Sequence, residues 1–79
     1  MPTVARMGGF RIVFRNEDHA PPHVHVIEGD AEAMIQIAPT VLLAGSVSPR
    51  AEREAVDWSE RNRDALLVRW RECGGAPER

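Results

Sequence analysis

Apolar and polar residues alternate in twos over the first half of the chain and recur at threes and fours over the second. The first period puts successive side chains on opposite faces of a strand; the second gathers them on one face of a helix. Residues 9–15 read as a first strand, with Phe10, Ile12 and Phe14 on one side and Arg11, Val13 and Arg15 on the other. Residues 16–22 are a turn-rich connection whose Pro21-Pro22 pair favours extended backbone. A second strand, 23–28, alternates Val24 and Val26 against His23 and His25. Gly29-Asp30 suits a two-residue hairpin loop with glycine first. Residues 31–37 form the third strand, Pro39 ends it, and residues 41–43 make a short fourth.

The hairpin register has an internal check. Pairing Glu28 with Ala31 sets Val26 opposite Ala33 and Val24 opposite Ile35, so the apolar residues share one face. A one-residue slip would scramble both faces. His25 then faces Met34 and His23 faces Gln36 on the other side, which with Arg11 and Arg15 reads as a cationic, partly exposed surface.

Ser48-Pro49 is a helix start, serine as N-cap and proline at the first helical position. Ala51, Ala55, Trp58, Asn62, Leu66 and Trp70 follow as a stripe, with Trp58 and Trp70 expected as core anchors. Asn62 interrupts it, so the segment is one long helix or two joined there. Residues 74–79 follow as a glycine stop and a frayed tail. The expected architecture is a single α+β domain over residues 1–79: a three- or four-stranded antiparallel sheet with one face covered by a C-terminal helix or helix pair.

Composition narrows the setting. At 79 residues the chain is near the lower limit for folding without staples, and its one cysteine cannot form an internal disulfide. No apolar run approaches a membrane span and the first ten residues lack a signal-peptide core, so a cytoplasmic protein with no membrane contact is expected. A net charge of −2 confines any nucleic-acid contact to a local patch. All ten basic residues are arginine, a bias that a GC-rich genome explains as well as function does.

The densest chemistry is Asp18-His19-Ala20-Pro21-Pro22-His23-Val24-His25, which holds all three histidines. Together with Met1-Pro2-Thr3, Phe10-Arg11-Ile12, the Ala33-x-Ile35-x-Ile37 strand and the Trp58, Leu66, Trp70 helix, this box resembles a bacterial family catalogued as domain of unknown function 4160. The resemblance spans about residues 1–73. It implies a small single domain, often encoded beside a second small protein in toxin–antitoxin-like pairs, and therefore a small cognate partner protein. It carries no established activity.

Three readings of the histidines stay open. In the first, His23 and His25 act with Arg15 as catalytic groups in metal-independent RNA cleavage, and Arg11, His19 and Asp18 bind the substrate. One imidazole removes a proton, the other supplies one, and arginine stabilises the phosphorane charge. In the second, His19, His23 and His25, with Asp18, hold zinc; otherwise no cofactor or metal is implied. In the third, His19 and His23 brace the proline-rich turn by bonding to backbone, Asp18 caps it as an Asx turn, and the domain is a non-catalytic protein-binding or regulatory module. A histidine-triad hydrolase would need a third alternating histidine where Ile27 stands, and Gly8-Gly9 lacks the strand and helix of a phosphate loop.

Overall fold

The computed structural model describes residues 3–14 and 21–72. Five strands precede two helices: β1 (Thr3–Met7), β2 (Phe10–Val13), β3 (His23–Glu28), β4 (Ala31–Gln36), β5 (Val41–Ser46), α1 (Pro49–Arg61) and α2 (Arg63–Glu72). The strands form one antiparallel sheet in chain order, so every neighbour is a sequence neighbour. The sheet is larger than the three or four strands expected. Thr3–Met7 adds a strand through a turn at Gly8-Gly9, and the final strand runs to Ser46 rather than stopping at Leu43.

The β3–β4 register is the one the alternation dictates, from His23 opposite Gln36 to Glu28 opposite Ala31. Phe10, Ile12, Phe14, Val24, Val26, Ala33, Ile35 and Ile37 therefore share the face covered by the helices, whose buried contributions are Ala51, Ala55, Leu66 and Trp70. Trp58 is only partly buried against this cluster, so Trp70 carries the aromatic anchoring. Gly45 is fixed by close approach between β4 and β5. Its φ is +77°, and a Cβ there would meet the Glu32 carbonyl oxygen at 2.3 Å.

The helical segment is two helices. At Asn62 the side-chain amide and the backbone N–H both donate to the Trp58 carbonyl, at 2.8 and 3.0 Å, and φ leaves the helical region at −111°. That competition for an i−4 carbonyl turns the chain between the helices. Ser48 caps α1 by accepting the Ala51 N–H at 3.2 Å. The cap is itself held from the sheet: Glu28, at the end of β3, accepts the Ser48 N–H at 2.7 Å and its hydroxyl at 2.8 Å. Arg50 donates to the Gly8 carbonyl at 2.9 Å, so the β1–β2 turn also touches the start of α1. No described helix is long and apolar enough to cross a membrane.

These bonds hold the Glu28 carboxyl below its ordinary pKa, the backbone N–H of Ser48 first, its hydroxyl second, the Arg50 charge adding to both. A carboxylate with a lowered folded pKa contributes stability above its unfolded pKa and loses it as pH falls through the folded value. Glu28→Gln is expected to flatten the acid limb of the thermal stability–pH curve below the ordinary glutamate pKa and leave the neutral-to-basic limb parallel to wild type. An unchanged acid limb would assign the sensitivity to other carboxylates.

Candidate functional site: the histidine face of the sheet

His23 and His25 lie on the sheet face opposite Val24 and Val26, because alternate β3 residues project oppositely. Their face is as expected; their exposure is not. Each is 6 % exposed, and Val13 beside them on β2 is fully buried. The expected open cationic surface is thus closed around β2 and β3. The alternation of a strand specifies which face a side chain takes but not what packs over it. Here the Trp70 ring, from the end of α2, sits 5.0 Å from the His23 ring and 6.1 Å from that of Phe14. Phe14 and His23 belong to opposite faces by register, so the indole spans the sheet end where β2 stops and β3 begins.

Both rings are held through Nδ1. His23 Nδ1 is 2.7 Å from the Pro21 carbonyl oxygen. A carbonyl only accepts, so this nitrogen carries the proton. It is the backbone bond that the turn-bracing reading expects of His23. His25 Nδ1 lies 2.9 Å from a Glu32 carboxylate oxygen, a pairing that orients the ring. The two imidazoles meet edge to face at 5.1 Å. Beside them is an open hollow of about 210 Å³ bordered by His25, Glu32, Met34, Ala44 and Gly45.

Among the other expected site residues, Arg11 lies on this same face, half-buried, directly opposite Arg6 of β1. Arg15, Asp18 and His19 lie outside the described residues. Among the described residues no group of three or more histidines, cysteines or carboxylates stands together as metal ligands. The sequence reading missed Glu32 and Arg6. Glu32 was within reach, since the register that sets His25 opposite Met34 makes Glu32 its diagonal neighbour, about 7–8 Å away between backbones. Arg6 required β1, a short strand whose alternation is too brief to stand out.

The profile of the family described as Domain of unknown function (DUF4160) matches residues 9–71, most of the chain. The chain belongs to this family. No curated protein and no solved structure matches it. The matched span of the DUF4160 domain runs from the β1–β2 turn to the end of α2, and so contains both histidines, Glu32 and Trp70.

Burial reverses one expectation about these residues. A solvent-facing histidine would tolerate truncation, but in this DUF4160 domain His23 fills the space between Trp70 and His25. His23→Ala is expected to cost about 2 kcal/mol in chemical denaturation, within the range for opening a cavity beside packed rings, with a change in tryptophan emission. A loss below about 0.5 kcal/mol would show that the ring carries no packing role.

Proposed function

We propose that this domain is the binding half of a two-protein pair and docks a strand of a small cognate partner on β5. The observation that carries this reading is the character of that strand. All six residues of β5 are exposed, none is charged, and Val41, Leu42 and Leu43 remain 44 %, 38 % and 42 % accessible. None belongs to the core, so folding does not account for their hydrophobicity. Edge strands are ordinarily guarded by charge. The other edge, β1, carries Arg6; β5 carries nothing of the kind. A partner segment that is extended, apolar and uncharged fits this edge, with main-chain bonds supplying affinity and alternate side chains supplying selectivity. The hollow beside His25 is smaller than the roughly 300–1,000 Å³ of small-molecule sites, which weighs toward a macromolecular surface.

Co-expression with the product of the adjacent gene is expected to give a stable complex by light scattering. Leu43→Lys should weaken it at least about tenfold. As an exposed substitution outside the core, it should leave domain stability within about 0.5 kcal/mol. A complex indifferent to Leu43→Lys, or self-association of the chain through β5, would overturn the reading.

A second reading keeps the histidine chemistry, and the His25–Glu32 bond favours it. A carboxylate that orients an imidazole is the usual support for general acid–base work, which here would be metal-independent RNA cleavage. Single-stranded RNA should then be cut in the presence of chelator with a bell-shaped pH profile. Glu32→Gln, at a solvent-accessible position, should slow cleavage about a hundredfold without unfolding the domain. Absence of cleavage by the wild-type protein between about pH 5 and 8 would remove this reading.

A further inference from the structure

We infer that Arg6 and Arg11 form a binding site for a phosphate group between the two hairpin tips of the sheet. The two arginines are direct cross-strand partners on β1 and β2, so their side chains leave the same face. Like charges directly opposite one another destabilise a sheet. The ordinary remedy is an intervening carboxylate, yet among the described residues neither arginine has a hydrogen bond or ion pair. The reason lies in the register. Across the sheet, Arg6, Arg11, Ile27 and Glu32 stand in one row, so Ile27 separates the arginines from the nearest carboxylate in it. Two strand spacings, about 10 Å, lie between the backbones of Arg11 and Glu32.

The space beside the pair is concave. A depression of about 340 Å³ is lined by Arg6 and Arg11, by Met7, Phe10 and Ile27, and by Gly9 and Gly29 of the β1–β2 and β3–β4 turns. Both turns have positive φ, +89° at Gly9 and +59° at Gly29, and neither brings a side chain into the opening. Two arginines, each with five N–H donors and no acceptor, thus border a pocket whose other lining residues are apolar or glycine. A tetrahedral oxyanion meets both forks at once and removes their mutual repulsion, which a single-charge carboxylate does less completely. The site stands apart from the β5 reading. It would give RNA chemistry a phosphate anchor, but binding is read here without turnover, so the two ideas fail separately.

The test is titration of the ¹⁵N-labelled protein, at constant ionic strength, with inorganic phosphate and separately with a single-stranded oligoribonucleotide, following the arginine Nε–H signals. Saturable shifts are expected at Arg6 and Arg11 but not at Arg53, an exposed arginine on α1. Arg6→Gln and Arg11→Gln should each weaken phosphate binding about tenfold, and Arg53→Gln should not. Because either change relieves repulsion, both variants should melt at or above the wild-type temperature, which keeps misfolding from mimicking lost binding. Tighter binding of the oligoribonucleotide, lost in the same variants, assigns the phosphate to an RNA backbone; saturation by inorganic phosphate alone assigns it to a small phosphorylated ligand. Shifts that are unsaturable, equal at all arginines or reproduced by chloride would overturn the site.

Discussion

The Glu28 carboxylate fixes how the two layers of this domain meet. One carboxylate at the end of β3 accepts both donors of Ser48, the residue whose hydroxyl oxygen in turn caps α1. Two layers joined only by apolar contact could slide; charge-assisted hydrogen bonds here, and that of Arg50 to the Gly8 carbonyl, set the register between them. From that point the short side chains of Ala51 and Ala55 allow α1 to lie close on Val24 and Val26, and Asn62 turns α2 back so that Trp70 reaches the far end of β3. The start of the helix pair and its end are therefore both referenced to one strand, and that strand carries the histidines.

Much of this was legible because it is local. The β3–β4 hairpin follows from Gly29-Asp30 and four alternating apolar residues, and the N-cap from Ser48-Pro49. The missing parts depend on contacts distant in sequence. Glu28 to Ser48 spans twenty positions, and no pattern links a glutamate ending a strand with a serine beginning a helix. The burial of His23 depends on Trp70, whose place in the helical stripe announced a core anchor but not that its indole would also meet the opposite face. The Phe10 strand was visible from its alternating aromatics, whereas β1 carries only Val4 and Met7 as larger apolar residues and pairs with an irregularity between Thr3 and Ala5.

The histidine face has a direction across the sheet. Arginines stand on β1 and β2, the imidazole of His25 on β3, the carboxylate that holds it on β4, and uncharged residues on β5. His25 sits one row away from this line, between Val13 and Met34, and its ring engages the Glu32 carboxylate of the arginine row. Exchanging Ile27 for a carboxylate would place an acceptor directly beside Arg11 and satisfy the arginines internally. The apolar residue in the middle of this row thus separates the arginine pair from the His25–Glu32 pair on one small face.

The edges complete that division. Arg6 places a charge on edge strand β1, where an incoming strand would have to desolvate it, so the cation proposed to hold an anion also guards the edge against pairing. At β5 the absence of charge leaves backbone and apolar side chains open together, and the close approach at Gly45 holds that strand tightly to β4 without adding bulk. A sheet of five strands has two edges, and of these β1 carries a charged side chain, Arg6, the residue that would also serve the proposed phosphate site. On the proposed readings, a strand-shaped partner at β5 and an anion at Arg6 and Arg11 would lie on opposite sides of the buried histidines and would share no residue.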